Sequence, residues 1–176
     1  MKRYSNRSGG ATRGFTLIEL LVVVAIIGML TSAVMIGLNQ ARAKGRDVAR
    51  RTQLRALQEA LELYHTNRAT YPVATSWLSS QPGDIATYSA DYIPGIVAMG
   101  EIQALPRDPR GGDSTILPPC SGWKSAYLYL SDGKEYKLLS NCAPEASWDS
   151  SDPFYDPVRP TWAWMVCSGP PACETW

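Results

Sequence analysis

The sequence predicts an α+β protein: one long N-terminal α-helix, its first half of membrane type, packed through its second half on a small antiparallel β-sheet. Three observations carry this. Residues 15–38 read FTLIELLVVVAIIGMLTSAVMIGL and hold one ionisable side chain, Glu19. Residues 39–66 contain no proline, and Leu54, Leu57, Ala60, Leu61 and Tyr64 recur on one helical face. Residues 125–140 alternate like two strands around Asp132-Gly133.

Average composition conceals this order. The 176 residues are 45% hydrophobic and 19% charged, with net charge +1 and mean hydropathy −0.17. These values exclude a protein of many membrane spans, a wholly disordered chain and a strongly basic nucleic-acid binder. The distribution is uneven, however. Residues 1–14 hold Lys2, Arg3, Arg7 and Arg13 and no acid, every tryptophan lies at or after Trp77, and all four cysteines lie at or after Cys120.

As a helix, residues 15–38 would be roughly 36 Å long, enough for a hydrocarbon core of roughly 30 Å. The run is too long for an ordinary secretory signal core, and no A-x-A-like cleavage site follows. The simplest reading is a single-pass anchor. Its flanks orient it weakly, because Arg42, Lys44, Arg46, Arg50 and Arg51 balance the basic head. Glu19 is the informative residue. A charge inside a spanning helix costs about 2.5–3.5 kcal/mol on insertion scales, so it either snorkels to the interface or finds a cation. A cut between Gly14 and Phe15 would create one, the new α-amino group of Phe15, and a neighbour's Glu19 would then neutralise it.

Arg13-Gly14-Phe15-Thr16-Leu17-Ile18-Glu19-Leu20, after a basic leader and before an apolar helix, resembles the class III signal of type IV pilins and type II secretion pseudopilins. The resemblance implies a cytoplasmic leader, residues 1–14, cut after Gly14 by a membrane prepilin peptidase. It implies N-methylation of Phe15, export of the C-terminal part, and assembly through Glu19. Removing the leader takes the 17 basic residues to 13 against 16 acidic ones, a net −3. The resemblance also implies a type IV pilin-like fold. The apolar half of the helix then serves the bilayer before assembly and the filament core afterwards. Many family members break that half with a proline; here the first proline is Pro72, and Gly28 and Gly37 are the only weak points before residue 39.

Residues 39–66 continue the helix as an amphipathic segment that must pack on a soluble domain. A helix over residues 15–66 would be about 78 Å long. The arginine-rich run 41–55 reads as a solvated face beside lipid headgroups, with a nucleic-acid patch as the less favoured alternative. Tyr71-Pro72 ends the helix, and Asn67 to Pro72 resembles the N-x-x-x-Y-P signature of pseudopilins and many pilins. Residues 67–119 are punctuated by proline and glycine and read as loops with short elements. Within them Leu105-Pro106-Arg107-Asp108-Pro109 resembles the L-P-x-D-P segment that precedes the pseudopilin sheet.

The hairpin, within residues 120–142, places Tyr127 and Tyr129 on one face and Leu128 and Leu130 on the other; Tyr136 and Leu138 share a face. Four cysteines allow three connectivities. Cys120 precedes the hairpin and Cys142 follows it, so antiparallel pairing favours Cys120–Cys142, with Cys167–Cys173 closing a small loop. Disulfides agree with an oxidising location. Zinc is disfavoured, because there is no C-x-x-C and the lone His65 lies on the helix.

The aromatic tail, residues 143–176, would wrap the sheet or form a recognition surface. Major pseudopilins bind calcium in a C-terminal loop; Asp149, Asp152 and Asp156 are weak candidates here, matching in composition alone, without EF-hand spacing. No cofactor motif, P-loop, nucleophile elbow or H-E-x-x-H occurs, so no enzyme is expected.

The expected function is structural. The chain would be a subunit of a type IV pilus-like filament for adhesion, motility, DNA uptake or secretion. The alternatives are a type II secretion pseudopilin driving protein export and a DNA-binding minor pilin. Expected partners are copies of itself, other pilins, prepilin peptidase, the assembly platform with its ATPase, and the membrane. The precursor would sit in the cytoplasmic membrane, and the assembled filament in the periplasm or at the cell surface.

Overall fold

The computed structural model describes residues 14–111, 120, 122–145 and 149–176, without the side chains of Ala33 and Ile36. The first helix, α1, runs Leu17–Arg68. It passes Gly28, Gly37 and Gly45 without a break, although each costs about 1 kcal/mol against alanine. It stops at Ala69, whose φ of 57° is left-handed and whose N–H donates to the His65 carbonyl at 2.7 Å. This is the usual left-handed helix stop with alanine in place of glycine.

The chain forms two compact units, Met1–Asn39 and Gln40–Trp176. The described part of the first is the helix start and apolar helix. The second holds the rest of α1, strands β1 (Ala74–Ser79), β2 (Thr87–Tyr88), β3 (Ala126–Ser131), β4 (Tyr136–Asn141) and β5 (Ala163–Cys167), and a short α2 (Ala172–Thr175).

The strands form one sheet in the order β2-β1-β3-β4-β5. β1, β3, β4 and β5 pair antiparallel, and β2 adds a parallel edge to β1. The sheet is thus antiparallel apart from that short strand. The period of two sorts the hairpin as expected. Tyr127, Tyr129, Tyr136 and Leu138 join Leu54, Leu57, Ala60 and Leu61 of α1 in the main core, with Tyr64 packed on its edge. Ala126, Leu128 and Leu139 form a second cluster with Trp77, Ala86 and Met165.

β1 and β2 are short elements within the proline- and glycine-punctuated stretch 67–119, and β5 arises in the tail expected to wrap the sheet or form a recognition surface. β1 reads ATSWLS and β5 AWMVC. β1 lacks clean alternation. β5 contributes Trp164 and Val166 to the core and Met165 to the second cluster, so both its faces are covered and its sequence does not alternate. The tail therefore enters the sheet.

The hairpin loop is four residues long, since Ser131 pairs with Tyr136. Asp132 Oδ1 accepts from the Lys134 and Glu135 amides, each at 2.8 Å. Gly133 has φ 93°, and a Cβ there would lie 3.1 Å from Thr70 Oγ1. Its carbonyl accepts from the Tyr71 amide at 2.8 Å, so the turn is seated on the segment that leaves α1. His65 stacks on Tyr71 with ring centroids 4.5 Å apart.

Candidate functional site

The helix start is built by Thr16 and Glu19. The Glu19 amide donates to Thr16 Oγ1 at 3.2 Å. Glu19 Oε2 accepts from the Thr16 amide at 2.9 Å and from the Thr16 hydroxyl at 2.8 Å. This is a reciprocal capping box, which satisfies amides that a helix start leaves unpaired. The carboxylate also faces the positive end of the helix dipole. The sequence expectation gave Glu19 two options, snorkelling or a neighbour's amine. The structure supplies a third partner inside the chain, Thr16. Gly14, Phe15 and Thr16 precede the helix, and Phe15 is 84% exposed.

Beyond the cap, the described side chains up to Leu38 are exposed. The most apolar 18-residue window of α1 has a mean hydropathy of 2.6 and is not buried by the rest of the chain. Thr31 and Ser32 donate their hydroxyls to the Ile27 and Gly28 carbonyls at 2.7 and 2.9 Å. These local bonds remove polar hydrogens from the helix surface. So large an apolar surface requires lipid or neighbouring helices.

The arginine-rich run behaves differently from the solvated face expected for it. Arg50 is fully buried. It grips Asp108 with Nε and Nη2, at 2.7 and 3.0 Å. Its Nη1 reaches Asp47 and Glu145, each at 2.8 Å. Arg46 forms a two-bond fork on Glu145, and the Glu145 amide donates to Asp47 Oδ2 at 3.0 Å. Arg51 pairs with Asp152 and lies over the Trp164 ring at 4.6 Å. Burial alone would lower the Arg50 pKa; its bonds to Asp108 and Glu145 outweigh that and raise it. Burial pushes the Glu145 carboxyl up, and the Arg46 and Arg50 bonds bring it below its ordinary value. The acids come from the L-P-R-D-P segment and from the turn after β4, so this clamp ties three distant stretches together. Arg46 and Arg50 are thereby spent inside the domain. Of the arginines in this run, Arg42 and Arg55 stay exposed.

The tail aspartates are not brought together. Asp149 Oδ1 accepts from the Ser151 amide at 2.8 Å. Asp152 carries Arg51. Asp156 receives the buried Lys137 ammonium at 2.9 Å and Arg159 at 3.3 Å. Burial pushes the Lys137 pKa down despite Asp156. Among the described residues no group of three or more His, Cys, Asp or Glu side chains converges on a metal site. Two of the three calcium candidates thus already carry protein cations.

Cys167 and Cys173 form a disulfide, with Cα atoms 5.5 Å apart. Cys120 and Cys142 do not; both are free and buried. Of the tail tryptophans, Trp164 is core, whereas Trp162 packs edge-on against Trp123 at 5.4 Å. Trp162, Trp77 and Arg159 help line a cavity of about 160 Å³ on the second face of the sheet. Trp148 and leader residues 1–13 lie outside the described residues.

A capped apolar helix bearing an α+β head defines a class, the membrane-anchored precursor of pilin-like fold. Residues 10–35 match the prokaryotic N-terminal methylation motif. The chain is 33% identical to the type II secretion system core protein G of Escherichia coli strain K12 over 136 residues, 75% of this chain and 88% of that one. It is 32% identical to the protein of the same name from Vibrio cholerae over 124 residues, 69% and 82% of the two chains. The Pseudomonas aeruginosa protein of that name is 28% identical over 147 residues, 78% and 95% of the two. The chain belongs to this core protein G family of pseudopilins. No solved structure matches it significantly.

Proposed function

We propose that this chain is a structural subunit of a type II secretion pseudopilus, a short filament that drives folded proteins out of the cell. The observation that carries this reading is the similarity to core protein G, which extends over three quarters of the chain, well beyond the N-terminal motif. It favours the secretion alternative over the expected surface pilus. In this reading the leader is cut between Gly14 and Phe15, which precede the helix and so form an open peptide at its end. Phe15 is then N-methylated. The exposed apolar half of α1 moves from lipid to neighbouring helices, and Glu19 meets a neighbour's Phe15 amine. The head stays outside the cytoplasmic membrane, and the subunit does no chemistry of its own. Other pseudopilins and the assembly platform are its partners.

The test is deletion of the gene followed by complementation. The expected result is loss of extracellular protein export, restored by the wild-type chain and not by Gly14→Ala, which retains its leader. Normal export with loss of surface filaments would instead support the pilus reading.

A further inference from the structure

The stretch that carries the calcium candidates is closed by cations of the chain itself. Lys137 lies on β4, and its side chain and that of Asp156 are fully buried. The Lys137 ammonium donates to Asp156 Oδ1 at 2.9 Å and to the main-chain oxygen of Trp176 at 2.8 Å. One buried group thus joins three stretches: β4, the turn at residue 156 and the residue that follows α2. Arg159 repeats the link. Its Nη1 donates to Asp156 Oδ2 at 3.3 Å and to the Trp176 oxygen at 2.6 Å, and its guanidinium lies over the Trp77 ring at 5.1 Å. Asp152 is held in the same way from α1, by Arg51. Backbone amides add to both acids: Phe154 donates to Asp152 Oδ1 at 3.0 Å and Val158 to Asp156 Oδ1 at 2.9 Å.

This donor set does not fit calcium, which takes about six to eight oxygen ligands. Asp156 already faces two cations, so a divalent ion beside it would stand against like charge. Turning Asp156 towards a metal would also leave the buried Lys137 ammonium without its carboxylate, an uncompensated charge in the interior.

We propose that Lys137 is the built-in cation of this head: with Arg51 and Arg159 it closes residues 149–159 where the family resemblance implies calcium, and the head keeps its fold without a divalent metal. The proposal concerns the head alone and holds whichever filament the chain serves. The register supports it. Lys137 pairs with Cys167 across β4 and β5, and the disulfide from Cys167 to Cys173 ties down α2, which ends beside Trp176. The ammonium and the disulfide therefore pin the tail from neighbouring positions, one through charge and one covalently.

The full-length chain is purified in detergent and its head melted in excess calcium chloride and in EGTA. The expected result is the same melting temperature in both. A fall in EGTA that calcium reverses overturns the proposal, because a ligand that binds the folded head must stabilise it. Lys137→Met keeps the aliphatic stem and removes the charge. It should lower the melting temperature by about 10 °C, equally in calcium and in EGTA. A melt like that of the wild type would contradict the role given to Lys137. Should that variant fail to fold, the wild-type chain is acetylated in EGTA and its lysine peptides mapped. Lys137 should react at least about tenfold more slowly than the exposed Lys134. Equal labelling of the two, or protection that requires calcium, overturns the proposal.

Discussion

The apolar half of α1 and the head solve opposite problems with one continuous helix. Residues 15–38 leave their described apolar side chains exposed and satisfy polar groups locally, through Thr16, Glu19, Thr31 and Ser32. From residue 47 the same helix buries its inner face, and its buried charges find partners from far along the chain. The apolar half thus presents a surface suited to lipid or neighbouring helices. The head is held by contacts that only its own fold can supply.

The sharpest way to break that contrast is at Arg50. Removing one partner of a buried ion cluster leaves uncompensated charge and costs about 3–5 kcal/mol. Arg50→Ala should unfold or strongly destabilise the head in a thermal melt while membrane insertion of the apolar half persists. A melt within a few degrees of wild type would place Arg50 outside the core of the head.

Acid should act on the same cluster more mildly. The folded-state pKa of Glu145 is depressed below 4.5. Its contribution is then present above the unfolded value and is lost as pH falls through the folded one. Head stability should therefore decline below about pH 4.3. Glu145→Gln should remove part of that decline, seen as a shallower plot of melting temperature against pH between 5 and 2.

Smaller effects belong to the helix ends. Thr16→Ala removes the cap and should cost about 1 kcal/mol of helix stability at the start of α1. The readout is faster amide exchange over the first turn in detergent, with the head unchanged. Ala69→Gly relieves the left-handed φ at the other end and should stabilise the head by about 0.4–1 kcal/mol. A loss of stability there would mean that the alanine methyl makes a packing contact.

Local regularity made much of this readable from sequence. The apolar run, the Leu54–Leu57–Leu61 stripe and the Asp132-Gly133 hairpin each follow from spacing within a few residues. Thr16-Leu17-Ile18-Glu19 is itself a capping-box spacing, which gives Glu19 a partner that charge counting does not supply. Arg50 also left a signal. Residues 47, 50, 54, 57, 61 and 64 lie at steps of three and four, so Asp47 and Arg50 extend the buried stripe as charges. What stayed hidden is non-local. Beside the nearby Asp47, two acids that neutralise Arg50 stand 58 and 95 positions away, and no periodicity reports them. β5 stayed hidden because covering both faces of a strand erases its alternation.

The most direct test of the division between assembly helix and self-contained head is Glu19→Ala in the full-length chain. Filament formation is followed by cross-linking and imaging of filaments sheared from cells, with the head's melting temperature measured in parallel. The account predicts a processed, membrane-inserted subunit whose head melts as in wild type and whose filaments are lost. Normal filaments in that variant, or a head that melts at lower temperature, would contradict it.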